Sequence, residues 1–296
     1  MSEVLITLGI IGIVAALTMP SLINNANDRK YRGARQKALA TIGGAVRNIT
    51  VTEGIGNATN AEDFVENHLR KQIQLIKTCK NNDLRSCGIE TNPNAITTLS
   101  EPKKKMTMPK KLSDLASGMS NGTTLRDVAQ TSTSYGFVLS NGYSVNLFYN
   151  PGCISDEKAE KHWGQDRVCV NAIYDMNGLA RPNEVGKDIG FVTIIYPDIT
   201  VQAVAPEVYK TNASSGTKFD DADASCQTQE EGLSVPNKDE LLSMYYNNNL
   251  IGAPLEGYYW SSSEVTDKLG WGQGFYDGRR NTNAKSYGSN VRCIRR

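Results

Sequence analysis

The first two dozen residues contain one long uncharged stretch. Residues 4–23, VLITLGIIGIVAALTMPSLI, carry no charged side chain, and polar residues resume at Asn24 and Asn25. A helix of about 20 apolar residues is long enough to cross the hydrocarbon core of a bilayer. The stretch therefore predicts a helix that needs apolar surroundings, either in a membrane or among other helices.

One acidic side chain, Glu3, precedes this stretch. A carboxylate left in hydrocarbon costs on the order of 3 kcal/mol, so it needs a cationic partner. A secretory signal peptide is a poor explanation, because no Lys or Arg occurs before Arg29 and the apolar stretch is too long. A plain membrane anchor is the other alternative.

The segment SEVLITLGIIGIVAALTMPSLI resembles the N-terminal helix of type IV pilins and of type II secretion pseudopilins, with Glu3, Gly9, Gly12 and Pro20 at matching spacing. The resemblance implies residence in the bacterial inner membrane, followed by assembly with other pilin subunits into an extracellular, cell-surface filament. It also implies that Glu3 pairs with the methylated N-terminal amine of a neighbouring subunit and that Pro20 kinks the helix. That family's leader peptide and cleavage-site glycine do not precede Glu3, so we expect the true start to differ from Met1.

The composition excludes several classes of function. A net charge of +1 over 296 residues gives no large field of one sign for nucleic-acid binding. The two histidines, His68 and His162, have no metal-ligand spacing, and no nucleophile–base pair is visible. We therefore expect a protein that is not an enzyme, that binds no nucleic acid and that has no cofactor, with calcium as the one exception to consider.

Six cysteines follow the apolar stretch. An even number of cysteines beyond an export-type segment indicates disulfides and an oxidising compartment for the globular part. Six cysteines permit about 15 sets of pairs, and the sequence alone does not choose among them. Closeness along the chain suggests Cys79–Cys87, Cys153–Cys169 and Cys226–Cys293. Zinc is the competing explanation, but no CxxC is present.

Residues 26–204 are predicted to form a pilin-like α+β domain, in which the long helix packs on an antiparallel sheet. Apolar residues at helical spacing continue the first helix to about residue 52, and Asn60 or Thr59 is expected to cap a second helix. A helix followed by strands is typical of α+β folds, and the order also resembles that of pilins.

Two further patterns predict strands. The sequence YGFVLSNGYSVNLFY indicates a hairpin, with a type I′ turn at Asn141-Gly142. Residues 191–204 predict one strand or a pair of strands, interrupted at Pro197. Both patterns support the antiparallel sheet of this domain.

The stretch DMNGLARPNEVGKD, from Asp175 to Asp188, resembles the DxNG loop of pilin-like proteins. Oxygen ligands two residues apart around a turn are typical of calcium sites, so Asp175, Asn177 and Asp188 are the candidate ligands. The EF-hand spacing and its bidentate glutamate are missing. A purely structural turn is therefore the alternative.

Residues 205–217 are rich in Pro, Ser, Gly and Thr, which predicts a linker. The blocks GLSVPNKDELLSMY, YYWSSSE and WGQGFYDG…VRCIRR follow, and together they resemble the C-type-lectin-like domain of bacterial surface proteins. The resemblance implies an α+β ligand-binding domain over residues 218–296. Within it, Asn237 is expected to cap a short helix, and Trp260 and Trp271 to lie in the core.

Residues 272–290 are rich in Gly, Asn, Ser and Tyr, which is typical of a binding loop, although a solvated loop is the alternative. The stretch also resembles the variable region of proteins that retroelements diversify at adenines. On that view Trp271, Gln273 and Lys285 are fixed, because adenine changes in an Asn codon do not reach them. The candidate contact residues are Tyr258, Gly272, Gly274, Tyr276, Asp277, Arg279, Thr282, Ala284, Ser286 and Tyr287.

Two functions remain. The first is a pilin-like filament subunit, minor or at the tip, whose lectin-fold domain binds a protein or glycan ligand in adhesion or recognition. The second is a type II secretion pseudopilin, whose extra domain contacts cargo or other pseudopilins.

Overall fold

The structure of the chain, a computed structural model, describes residues 2–116, 124–154, 167–196, 201–252 and 257–296. The helices are α1 (Ser2–Thr52), α2 (Ala61–Asp63), α3 (Arg70–Gln72), α4 (Thr124–Thr131), α5 (Ala222–Gln227), α6 (Lys238–Tyr246) and α7 (Asn248–Ile251), with a π-helical segment Phe64–Leu69 between α2 and α3. The strands are β1 (Leu75–Cys79), β2 (Ile96–Thr97), β3 (Lys105–Met106), β4 (Tyr135–Leu139), β5 (Ser144–Tyr149), β6 (Arg167–Asp175), β7 (Ile189–Tyr196), β8 (Gln202–Val204), β9 (Glu207–Thr217), β10 (Leu233–Ser234), β11 (Tyr258–Glu264), β12 (Leu269–Gly274), β13 (Arg280–Ala284) and β14 (Ser289–Arg295). A long N-terminal helix with antiparallel sheets confirms the α+β class.

Helix α1 has two halves with different surroundings. The first half exposes large apolar side chains all around the helix, and this exposed half comprises Leu8, Ile10, Ile11, Ile13, Val14, Leu17, Met19, Leu22 and Ile23. The packed half buries one side against strands β7 and β8, through Ala34, Ala38, Ile42, Ala45, Val46 and Ile49. Their spacing of three or four residues is that of one helix face. Only the packed half therefore belongs to the globular core.

The residues singled out by the pilin resemblance lie in the exposed half. Pro20 is inside α1 and lacks the N–H that would bond to the carbonyl four residues earlier. A Cβ at Gly12 would meet no atom within 4 Å. The side-chain surroundings of Glu3 and Gly9 lie outside the described residues, so the roles predicted for them stay predictions.

The central sheet has six antiparallel strands in the order β1-β4-β5-β6-β7-β8. Strands β4 and β5 form the predicted hairpin, but its turn is not type I′. The N–H of Gly142 donates to the carbonyl of Leu139 at 2.8 Å, and the N–H of Leu139 donates to the carbonyl of Tyr143 at 2.9 Å. A type I′ turn needs positive φ at two residues, whereas here Gly142 alone adopts it (φ +86°), which spares Asn141 the steric cost.

Both faces of the central sheet are covered. On one face, Val192 and Ile194 of β7 pack with the packed half of α1. On the other, Phe191 and Ile195 pack with α6 and with Phe275 of the C-terminal region. Because β7 is buried on both faces, its sequence FVTIIY is apolar on both sides of the strand, with Thr193 as the one polar residue.

The predicted linker is wrong as a local structure. Residues Glu207–Thr217 form strand β9, which pairs antiparallel with β14, for example Val208 with Ile294. Pro, Ser, Gly and Thr favour loops locally, but pairing with β14 satisfies the backbone and packs Tyr209 and Ala213 against the core around Trp260. The C-terminal sheet has the order β10-β14-β11-β12-β13, and β9 pairs with β14 off this path.

The predicted disulfides and helix caps are present. The three pairs are Cys79–Cys87, Cys153–Cys169 and Cys226–Cys293. At α2, the Asn60 side chain accepts a hydrogen bond from the backbone of Asp63. At α6, Asn237 and Glu240 cap each other's backbone N–H groups. These features depend on residues that are close in sequence, except for Cys226–Cys293.

A buried polar network joins the central sheet to α6. The amide groups of Asn171 and Asn247 bond to each other in both directions, at 2.9 and 3.0 Å. Thr193 donates to Asn171 at 2.7 Å, and Ser243 donates to Thr193 at 2.8 Å. All four side chains are fully buried. Since a buried polar group needs its partner, this network fixes the C-terminal region on the sheet.

Candidate functional site

A shallow depression on the C-terminal sheet brings together amide and phenol side chains. We call it the asparagine–tyrosine face, and it consists of Tyr258, Asn281, Asn283, Tyr287 and Asn290. Strand β11 supplies Tyr258, β13 supplies two asparagines, and the β13–β14 connection and the start of β14 supply the other two residues. Gly216, Gly288 and Ser289 line the same depression and leave room in it.

Contacts among its members and with the neighbouring Tyr276 hold the centre of this face. The Asn281 amide donates to the Tyr258 hydroxyl at 3.1 Å. The ring of Tyr276 stands edge-on to that of Tyr258, with centroids 6.0 Å apart. Burial, followed by a hydrogen bond with Tyr276 and the charge of Asp277, raises the pKa of Tyr258 to about 12. The Tyr258 phenol is therefore neutral at physiological pH and can donate or accept a hydrogen bond.

The structure brings some of the candidate contact residues together and buries others. Tyr258 and Tyr287 line the depression, and Tyr287 is 65% exposed. The exposed candidates outside it are Tyr276, Arg279 and Ser286, and those half-buried on β13 are Thr282 and Ala284. Gly272, Gly274 and Asp277 are buried, so they offer little surface to a ligand. The ligand-binding role of the set stays a prediction.

Asp277 has a structural task in the β12–β13 turn. Its carboxylate accepts the Arg279 backbone N–H at 3.0 Å and forms an ion pair with the Arg279 guanidinium at 3.2 Å. A Cβ at Gly274 would lie 2.7 Å from the Asp277 carboxylate, so a larger residue there would displace this carboxylate. The predicted binding loop is thus largely a strand–turn–strand unit, because pairing of β12 with β13 and of β14 with β9 orders the polar segment.

The residues expected to be fixed do lie in structural positions. Trp271 and Gln273 are buried in β12. The Lys285 ammonium pairs with Glu264 at 2.8 Å and lies 4.9 Å from the centre of the Phe219 ring. Trp260 is fully buried, and its indole N–H donates to the carbonyl of Thr217 at 2.8 Å. This arrangement confirms the predicted core positions of both tryptophans.

Sequence reasoning missed three members of the face, Asn281, Asn283 and Asn290. A signal existed, since Asn281 and Asn283 alternate in the sequence RNTNA. Alternate residues of a strand point to one side of a sheet. The composition of the segment predicts a loop, in which alternation carries no such meaning.

The candidate calcium loop is ordered by its own hydrogen bonds. Asp175 accepts the backbone N–H groups of Asn177 and Gly178 at 3.0 and 2.9 Å. Asp188 accepts those of Asn183 and Glu184, both at 2.8 Å. These bonds close the loop, which is the structural alternative raised by the sequence.

Some oxygens of this loop suit a hard cation. Asp175 Oδ2, Asn177 Oδ1 and Asn183 Oδ1 are buried and have no hydrogen-bond partner. Burial, with the charge of Asp188 adding to it, raises the pKa of Asp175 to about 7. In the described part of the chain, however, no group of three or more His, Cys, Asp or Glu residues is placed to hold a metal ion. Calcium binding stays a prediction.

The chain was not matched to a known family. No protein-family model matches it, and no curated protein matches it either. The likeness to pilins and to lectin-like domains is therefore a resemblance of the sequence segments quoted above.

Proposed function

We propose that this protein is a pilin-like filament subunit that displays a lectin-like domain, whose asparagine–tyrosine face binds a protein or glycan on another surface. The observation that carries the proposal is the exposed half of α1. Nine large apolar side chains stand free around it, and Leu17 is 75% exposed. Burial of each such side chain contributes about 1.5–3 kcal/mol, so this half calls for an apolar partner.

Membrane and filament are both compatible with this surface. Helix α1 is the one helix of the described residues that is long and apolar enough to cross a membrane. An apolar helix that can anchor in a membrane and three disulfides in the globular part suit a chain held at a membrane in an oxidising compartment. The early glutamate and the spacing to Pro20 favour the filament as the final partner of this helix.

The chemistry of the asparagine–tyrosine face supports a binding role. Its side chains are neutral, and they combine amide donors and acceptors with phenol rings. Tyrosine gives contact area at low entropic cost, and asparagine adapts its hydrogen bonds, as in many binding surfaces. Stacking of a sugar ring and contact with a protein surface both use these groups.

Immunogold electron microscopy of sheared surface filaments tests the assembly part of the proposal. We expect the full chain to be found along or at the tip of filaments. Leu17→Lys should remove it from them, because an ammonium group would enter the helix bundle. Val51→Lys is the matched control, since Val51 is on the same helix and is 82% exposed beyond the apolar stretch. Equal incorporation of both variants would contradict the proposal.

Binding of the detergent-solubilised full chain to a glycan array and to a panel of surface proteins tests the ligand part. We expect Tyr287→Ala and Asn283→Ala to weaken binding about tenfold, as loss of one good contact does. Glu231→Ala is the control, because Glu231 is exposed just before β10, which pairs with the far end of β14, about 16 Å along that strand from Asn290. Ligand binding that neither Tyr287→Ala nor Asn283→Ala weakens would contradict the assignment of this face, and the absence of any bound ligand would leave the pseudopilin alternative in place.

A further inference from the structure

The C-terminal sheet ends in a strand with an open outer edge. Strand β13 (Arg280–Ala284) pairs with β12 on one side, and no strand of the described residues pairs with its other side. Two hydrogen bonds show which backbone groups of this segment face β12. The N–H of Gly274 donates to the carbonyl of Arg279 at 2.7 Å, and the N–H of Lys285 donates to the carbonyl of Lys268 at 2.9 Å.

The backbone groups of β13 alternate between its two sides. In an antiparallel pair, successive residues direct their N–H and C=O groups alternately towards the partner strand and away from it. Because Arg279 and Lys285 bond on the β12 side, the odd-numbered residues between them also face β12. Arg280, Thr282 and Ala284 therefore direct their backbone groups outward. Thr282 lies at the centre of this edge, and no hydrogen bond to a described residue uses its N–H or C=O.

Other strands with an unpaired side carry features that discourage pairing. Strand β1 has a bulge between Leu75 and Lys77, and this lysine is exposed. Strand β9 has three register shifts along β14, and β8 and β10 are three and two residues long. Bulges, lysines and short strands keep sheet edges from pairing. Strand β13 has five residues, an unshifted register and neither proline nor lysine, so its edge suits a further strand.

The sequence of β13 is nearly symmetric about its central residue. When two copies of RNTNA pair antiparallel with Thr282 opposite its counterpart, Asn281 lies opposite Asn283, and Arg280 lies opposite Ala284. Opposed amide side chains exchange hydrogen bonds, and such cross-strand pairs stabilise a sheet. No like charges meet within the strand. The strand that β13 matches best on these grounds is β13 itself.

The residues that flank β13 do not oppose this pairing. Arg279 and Lys285 would lie opposite each other, and two unpaired cations there would repel. Each cation is already paired within its own copy, Arg279 with Asp277 at 3.2 Å and Lys285 with Glu264 at 2.8 Å. The net charge brought together at either end of the strand is therefore small.

We propose that β13 pairs with β13 of a second copy of this chain, antiparallel and centred on Thr282. The Thr282 N–H of each copy donates to the Thr282 carbonyl of the other, and the two C-terminal sheets become one continuous sheet. A two-fold axis perpendicular to the sheet keeps the same face of both copies on the same side. The second copy thus places its own Asn281 and Asn283 beside those of the first, and the two asparagine–tyrosine faces adjoin.

The size of this contact indicates when it forms. Five residues from each copy bury less than the roughly 1,200 Å² of a stable interface. Two isolated copies therefore pair weakly, whereas copies held close together on one surface pair through their raised local concentration. The pairing requires neither a bound ligand nor a particular partner for α1, so it goes beyond the proposed function.

Disulfide trapping of the full chain in a neutral detergent tests the register. All six native cysteines are in disulfides, so Thr282→Cys introduces a single free thiol. Opposed residues in this pairing have Cα atoms about 5.5 Å apart, within the range that a disulfide spans. Ser286→Cys is the matched control, because Ser286 is exposed beyond the end of β13 and would lie more than about 13 Å from its counterpart. We expect mild oxidation to give at least about tenfold more covalent dimer for Thr282→Cys.

A second pair of variants tests the backbone hydrogen bonds. Thr282→Pro removes the outward N–H without removing a bond to β12, and edge strands tolerate proline at such positions. Thr282→Val is its control, because valine keeps this N–H and a β-branched side chain. In sedimentation equilibrium, Thr282→Pro should self-associate at least about tenfold more weakly than the wild type, and Thr282→Val should match the wild type. Association through α1 is common to all these variants and cancels in the comparison.

Two sets of results would overturn the pairing. Equal dimer yields from Thr282→Cys and Ser286→Cys, or no dimer from either, would contradict the register. Equal self-association of Thr282→Pro and the wild type would contradict the edge contact itself. Filament incorporation and ligand binding are measured on Leu17→Lys and Tyr287→Ala, so failure of this contact is distinguishable from failure of the proposed function.

Discussion

The two halves of α1 are one continuous helix, yet their sequences suit different surroundings. In the packed half, small and β-branched residues repeat at three- and four-residue spacing and bury a single face against the central sheet. In the exposed half, the nine large apolar side chains that the structure describes lie all around the helix, and each is more than half exposed. A one-sided pattern shows a helix whose partner is within the chain, whereas an all-round apolar pattern shows a helix whose partner is outside it.

The largest expected effect is a loss of stability when a buried residue of the packed half is truncated. Ile42→Ala should lower the free energy of unfolding by about 2–5 kcal/mol, because it leaves a cavity in a fully buried position. Leu17→Ala removes a similar side chain from the exposed half and should change it by less than about 0.5 kcal/mol. Denaturant unfolding of the globular part in detergent measures both. Similar losses would show that the exposed half also packs within the chain.

Denaturant unfolding at a series of pH values measures how the stability of the globular part, which includes the packed half, depends on pH. The folded-state pKa of Asp175, about 7, lies above its unfolded value near 3.9. The folded protein thus keeps a proton that the unfolded chain releases, so stability should fall as pH rises from about 4 to about 7, by at most about 4 kcal/mol. Asp175→Asn should flatten this slope.

Calcium chloride added at pH 8 extends the same experiment. If the loop binds calcium, the ion should raise the melting temperature of the wild type and leave Asp175→Asn unchanged. An equal response, or none, would leave the loop as a structural turn held by its own hydrogen bonds.

For the exposed half, we expect an effect on membrane insertion and not on stability. Ile13 lies at the middle of the apolar stretch, and Ile13→Lys should disfavour insertion by about 2.5–3.5 kcal/mol. The same variant should leave the unfolding of the globular part unchanged, because Ile13 is 64% exposed. Carbonate extraction of membranes measures insertion, with Val51→Lys as the control. Retention of Ile13→Lys in the membrane would indicate that this half has a different partner.

The smallest expected effects are changes in stability at two neighbouring glycines of the packed half. A Cβ at Gly43 would lie 2.5 Å from that of Ala203, so Gly43→Ala should cost about 1–3 kcal/mol. A Cβ at Gly44 would meet nothing within 4 Å, so Gly44→Ala should stabilise the helix by up to about 1 kcal/mol. Thermal unfolding of the two variants side by side should give opposite signs. The same sign for both would place the sheet elsewhere on the helix.

What the sequence predicted correctly depends mostly on neighbours along the chain. The continuation of α1, the caps at Asn60 and Asn237 and the β4–β5 hairpin each follow from a few adjacent residues. The pairing of β9 with β14 joins segments about 80 residues apart, and the composition of residues 205–217 gave no sign of it. The asparagine–tyrosine face depends on that same pairing, since Asn290 lies at the start of β14. Local patterns therefore predicted individual elements but not the surface that distant elements build together.

Strand β9 limits how the asparagine–tyrosine faces of several copies can be oriented in an assembly. Because β9 is part of a sheet and the Asn171–Asn247 network is fully buried, the described residues between the packed half of α1 and the asparagine–tyrosine face contain no hinge. Any assembly that sets copies of α1 in register would point all the faces in fixed directions at a regular spacing. Weak single contacts would then add up only on targets whose own repeat matches that spacing, so geometry would act as a filter for partners.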